Sequence, residues 1–105
     1  RQGYRERAQR HFPTPVEVAF YPGDGEGEIV AEVIAPDAPG VLYRIARIFT
    51  DFGCQIHAAK VATFGERTED TFQLSHEGAP PETRERRRAL AEAIRNEFEP
   101  EPVHH

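Results

Sequence analysis

The stretch Ala35–Phe49 restricts the fold of this chain more than any other. It predicts a strand end, a tight Asp37-x-Pro39-Gly40 loop and an amphipathic helix that begins at once, over about Pro39–Phe52. Apolar residues fall at Val41, Ile45, Ile48, Phe49 and Phe52, the stripe of a helix with one buried face. Asp37 is placed to accept hydrogen bonds from the first unpaired N–H groups, and Pro39 has no N–H to leave unpaired there. Gly40 carries no Cβ, so a ligand or another backbone can approach closely. A helix N-terminus reached through such a loop suits an anion, including the carboxylate of a free amino acid, and points to sensing rather than catalysis.

The flanking pattern completes an order β-β-α-β-β-α. Pro13 and Pro15 punctuate the entry to a strand at about Val16–Tyr21, where Val16, Val18 and Phe20 alternate with Glu17 and Ala19. The run 22–27 is a turn, and Glu28–Ala35 follows as a second strand able to form an antiparallel hairpin with the first. Gly53 stands at a left-handed cap position that ends the helix. Gln55–Thr63 reads as a third strand rich in Ala, Phe64–Arg67 as a tight turn, and Thr68–Ser75 as a fourth strand with Phe72 and Leu74 on one face. His76–Pro81 is a loop. A second helix from about Glu82 to Phe98 carries Leu90, Ala93, Ile94 and Phe98 as its buried stripe, and Pro100 and Pro102 stop it.

These elements predict an α+β fold: a four-stranded antiparallel sheet in the order 1-2-4-3 with two helices on one face. In a ferredoxin-like β-α-β-β-α-β unit a closing strand takes one edge of the sheet. Here the opening strand takes that place. Gln55–Thr63 is left on the other edge, where its unpaired side invites a second copy.

A length of 105 residues bounds the chain to one domain, assigned to 13–99. Residues 1–12 read as a linker or the tail of a preceding domain. Residues 100–105 read as a disordered tail or, with His104 and His105, a tag remnant, and the whole as a fragment of something longer. The net charge of −5 is uneven. The first twelve residues carry four Arg against one Glu, whereas the rest carries nine basic against seventeen acidic residues. A nucleic-acid binder would place its basic surface on the folded part, so nucleic acid is not an expected partner. No apolar run approaches membrane-spanning length, which excludes a membrane span. Cys54 is the only cysteine. It forms no disulfide framework and no thiolate metal cluster, so a cytoplasmic setting is expected and Cys54 is a small apolar filler.

The motif Asp37-x-Pro39-Gly40-Val41-Leu42, the helix through Ile45-Ala46-Arg47-Ile48-Phe49, and Gly53 followed by Ile56-His57 resemble an ACT domain. ACT domains are small regulatory modules that pair with one another and often bind an amino acid. The continuation from Ile56 to Phe72, with its Gly65-Glu66-Arg67-x-Glu69-Asp70 turn, is similar to the C-terminal ACT domain of the bifunctional PII uridylyltransferase/uridylyl-removing enzymes. His11-Phe12-Pro13 and Pro15-x-Val-x-Phe20 resemble the lead-in of that domain. The resemblance covers about residues 11–75. It implies a nitrogen-status sensor, with glutamine the favoured ligand and a neighbouring ACT domain, in tandem or as a second copy, the expected partner. The Gly-Ser-Asp pocket and His-Asp metal cluster of such enzymes are missing from the sequence, so no chemistry, cofactor or metal is expected of this piece. The alternative it leaves open is an ACT module that binds nothing and relays the position of a neighbouring domain.

On this reading the ligand site comprises Asp37, Ala38, Pro39, Gly40, Val41 and Leu42. The backbone N–H groups of Val41 and Leu42 face the ligand carboxylate, and Asp37 either caps the helix or takes the ammonium group. Cys54, Gln55 and Ile56 complete the pocket from the same or the paired copy, and the Gln55 amide can both donate and accept. The interface comprises His57, Ala59, Val61, Glu66 and Arg67. His57 belongs to the dimer edge or the sheet, and Glu66 and Arg67 are either a polar hairpin turn or a contact with another domain. Arg84, Arg86, Arg87 and Arg88, interleaved with Glu82 and Glu85, read as a solvated face with local ion pairs, as do Arg47 and Asp51.

Overall fold

A computed structural model of the chain describes residues 15–76 and 84–98. The expectations placed on 1–14, 77–83 and 99–105 (linker, first proline, second loop and tail) lie outside the described residues. The elements run β1 (Glu17–Pro22), β2 (Glu28–Pro36), α1 (Val41–Asp51), β3 (Cys54–Phe64), β4 (Arg67–His76) and α2 (Arg84–Phe98). One antiparallel sheet has the order β1-β2-β4-β3, as the pattern predicts.

Alternation decides which side chains are buried. On β2, Ile29, Ala31, Val33 and Ala35 face the helices; on β4, Thr68, Asp70, Phe72 and Leu74 do so. They pack against Val41, Ile45 and Phe49 of α1 and Leu90 and Ile94 of α2. Phe49 and Phe72 meet with ring centroids 5.0 Å apart and planes tilted by 58°, which fixes α1 over β4. Arg44 of α1 reaches α2, bonding Glu97 Oε2 at 2.8 Å and the Glu97 carbonyl at 3.1 Å, with its guanidinium 4.6 Å from the Phe98 ring centroid.

Helix α1 starts two residues later than its periodicity suggests. Gly40 holds φ 67° and ψ 23°, a left-handed conformation that cannot extend a right-handed helix, so Pro39 stays in the preceding turn. At the other end Gly53 has φ 85°, as its cap position predicts, and a Cβ there would lie 3.0 Å from His76 Nε2. His76 itself belongs to β4 rather than to a loop.

Strand β3 contains a bulge. Ile56 pairs with Leu74 and Ala58 with Gln73, so His57 is an extra residue with no ladder partner on β4. Below it Cys54 and Ile56 face the helices; above it Ala59, Val61 and Thr63 do. Those three remain exposed, because no described helix covers the upper half of β3.

Two readings of charge are corrected. Arg86 is half-buried rather than solvated: its Nη2 donates to the Phe52 carbonyl at 2.7 Å and lies 3.1 Å from His76 Nε2. The carbonyls that end α1 carry partial negative charge, so a cation settles there. No ion pair joins Arg47 to Asp51; the last turn carries instead a Thr50 Oγ1 bond to the Arg47 carbonyl at 2.9 Å.

Candidate functional site

The end of the molecule holding the 37–40 loop also holds the β3–β4 turn. Residues Gly65 and Glu66 close that turn, and the Asp37 N–H donates to the Glu66 carbonyl at 2.9 Å. The loop is therefore tied to the hairpin tip through the main chain. Asp37, Pro39 and Gly40 are exposed, Ala38 and Leu42 half-buried, and Val41 buried. Nothing lies within 4 Å of where a Gly40 Cβ would stand, so the space beside the loop is open.

The N-terminus of α1 is only partly satisfied. The Val41 N–H donates to the Ala38 carbonyl at 3.1 Å, and the Gly40 carbonyl accepts from the Arg44 N–H at 2.9 Å. Among the described residues no group accepts from the N–H of Leu42 or Tyr43. Asp37 makes no capping bond, which corrects the expectation that it holds the helix start. The left-handed Gly40 turns the chain before the helix, so the residue in the capping position has no side chain to offer. Of the two amides expected to meet a carboxylate, Val41 is occupied internally and Leu42 is not. Tyr43, missed in the sequence, contributes the second open N–H.

Beneath the loop and the first turns of α1 lie Thr68 and Asp70. Each is 1% exposed; among the described residues the Thr68 hydroxyl is the one polar group that meets the Asp70 carboxyl, and neither side chain has any other hydrogen-bonding neighbour. Burial pushes the Asp70 carboxyl above the usual aspartate range; the nearby Thr68 hydroxyl opposes this, and the charge of Asp37 adds to it. The sequence reading places Thr68 in the fourth strand and Asp70 in the family-like turn but assigns neither to the site. The signal was present: Thr68 and Asp70 share the parity of Phe72 and Leu74, the two residues it did place on one face.

Cys54, Gln55 and Ile56 lie at the other end of the same chain. Helix α1 separates them from the loop by roughly 16 Å of axial rise. Within one copy they do not complete a pocket with Asp37–Leu42. Cys54 is buried with its thiol pushed up by burial, against a smaller opposing effect of Arg86; Ile56 is half-buried and Gln55 exposed. Of the residues assigned to an interface, His57, Ala59, Val61, Glu66 and Arg67 are all exposed. His57 Nε2 lies 2.6 Å from Ser75 Oγ, and Arg67 pairs with Glu69 at 3.2 Å. A cavity of about 350 Å³ opens at this far end too, between Phe20, Tyr21, Pro22, Glu28, Ile29 and Arg87, away from the loop. Among the described residues no three His, Cys, Asp or Glu side chains gather as a metal site, and no helix is long and apolar enough to cross a membrane.

Comparison with known proteins agrees with this architecture. The model of the ACT domain family matches residues 29–95, which is more than half of the chain. A bifunctional uridylyltransferase/uridylyl-removing enzyme of Chromobacterium violaceum is 38% identical over 74 residues, covering 70% of this chain and 9% of that protein. Its namesake in Photobacterium profundum is 40% identical over 88 residues, covering 84% of this chain and 10% of that protein. The one in Nitrosospira multiformis is 41% identical over 74 residues, covering 70% and 8%. The chain thus spans about a tenth of the length of the curated relatives it matches.

Proposed function

Because the chain belongs to the ACT domain family, we propose that it is the regulatory, amino-acid-sensing part of a uridylyltransferase/uridylyl-removing enzyme acting on the signalling protein PII, with glutamine as its ligand. The chemistry belongs to the rest of such an enzyme; this domain supplies the reading of nitrogen status, in the cytoplasm. The observation that carries the proposal is the helix start. Two open N–H groups at Leu42 and Tyr43 follow Gly40, beside which the space is open, inside the segment that matches the family. Such a terminus favours a carboxylate.

The partner in this proposal is a second ACT domain bound along the unpaired edge of β3. An antiparallel pairing centred on Ala59 sets Cys54 of one copy opposite Phe64 of the other. Gln55 and Ile56 of the second copy then approach the end of the first that holds the 37–40 loop. The separation within one chain thus becomes a reason for the pair.

Calorimetric titration of the folded chain tests this. Millimolar glutamine is expected to give heat and a raised melting temperature, glutamate little of either, and Gly40→Val neither. Absence of heat with glutamine in a folded, dimeric sample overturns the reading. A second reading, a module that binds nothing and relays a neighbour's position, is favoured by the internal engagement of the Val41 N–H. Under it, substitutions at Asp37 and Gly40 leave regulation intact, while charges placed on Gln55–Val61 abolish it.

A further inference from the structure

We propose that Asp70, with Thr68 beside it, is the polar floor of this site and takes the ammonium group of a zwitterionic α-amino acid. The inference rests on the amino-acid-binding reading above and deepens it, by saying which end of the ligand is held by which residues.

An ionised carboxyl group 1% exposed, with only the Thr68 hydroxyl beside it, is costly unless a cation balances it. The described chain brings none to Asp70. The only lysine, Lys60, pairs with Thr71 and so sits on the other face of the sheet. Arg67 is committed to Glu69, and Arg44 to Glu97. Thr68 Oγ1, equally buried on the same face of β4, meets the Asp70 carboxyl and no other polar group. Asp37 lies close enough above to act on Asp70 through its charge. Two carboxylates sharing one region repel, and a cation between them removes the repulsion.

The position of these groups relative to α1 defines the ligand class. Phe49 stacks on Phe72, and α1 runs in the same direction as β4, so the first turns of α1 lie over Thr68 and Asp70. Open N–H donors at Leu42 and Tyr43 and acidic acceptors at Asp37 and Asp70 thus border one region. A phosphate or a dicarboxylate would meet Asp37 and Asp70 as like charges, whereas an α-amino acid matches both ends. The way in is the strip of β3 beside α1, where Val61, paired with Asp70, is 41% exposed. That strip borders the edge on which the second copy is proposed to sit.

The test uses the whole chain, calorimetry, and two probes: glutamine, and 4-carbamoylbutanoate, which is glutamine without its α-amino group. The wild type is expected to bind glutamine at least tenfold more tightly than the analogue. Asp70→Asn is expected to weaken glutamine at least tenfold and leave the analogue unchanged, and Thr68→Val to weaken glutamine several-fold. The unliganded Asp70→Asn chain is expected to melt no lower than the wild type. If the wild type binds glutamine and Asp70→Asn binds it equally well, the role of Asp70 is overturned while the sensing function stands. If Asp70→Asn melts lower and loses both probes alike, Asp70 is merely structural and the inference also fails. If the wild type binds neither probe, the sensing reading falls and takes this one with it.

Discussion

Asp70 concentrates the conflict between stability and use at the scale of one residue. Its burial raises the carboxyl pKa in the folded state above that of the unfolded chain. The sign follows: the group's contribution to stability is fully present below the unfolded value and is lost as pH rises through the folded one. The ionised form of this side chain therefore works against folding, and its neutral form does not. Asp70→Asn is expected to stabilise the chain at pH 7 by on the order of 1 kcal/mol, and the difference should close on acidification through the carboxylate range. Urea midpoints of both proteins across pH 3.5–7.5 check this, and a gap that widens towards acid contradicts it. A site kept at a cost to the fold is a common mark of function.

Arg86 gives the corresponding lesson for elements. It stands four residues before Leu90 and eight before Ile94, so it occupies the buried stripe of α2, and its guanidinium lands on the end of α1 at Phe52. The run of basic residues around it masks this in the sequence, because its composition is that of a solvated face and an arginine adds nothing to an apolar stripe. The start of α1 departs from its pattern for a related reason: Pro39 suits a first helical position, but the sign of φ at Gly40 is set by the turn and is not written in residue type. The strand order, by contrast, was legible, since the alternation on β2 and β4 and the short turns between elements leave few ways to cover one face. Arg86→Met is expected to cost about 1–2 kcal/mol through loss of a charged hydrogen bond to the Phe52 carbonyl. The neighbouring exposed Arg88→Met should stay within about 0.5 kcal/mol. Denaturant melts of the two variants separate a latch from a general effect of charge.

For the whole molecule, the unequal edges of the sheet matter most. β1 has six residues and ends in Pro22, which cannot extend a ladder, whereas β3 offers eleven. Association is therefore expected through β3. In the pairing centred on Ala59, Ala59→Glu places two like charges directly opposite one another. Mass measured in solution is expected to move from dimer towards monomer, with at least a tenfold weaker association, and unchanged association would place the contact elsewhere. A sequence of one chain could show that β3 is an edge. It also implied that Cys54, Gln55 and Ile56 stand a helix length from the loop they were expected to join, because they follow directly on the far end of α1. The bulge has a larger effect still. Had β3 kept the register of its first three pairs, Lys60 would face Asp70 across the ladder, and the chain's own amine would neutralise that acid. One additional amino acid, His57, thus keeps the lock from being filled by its own key.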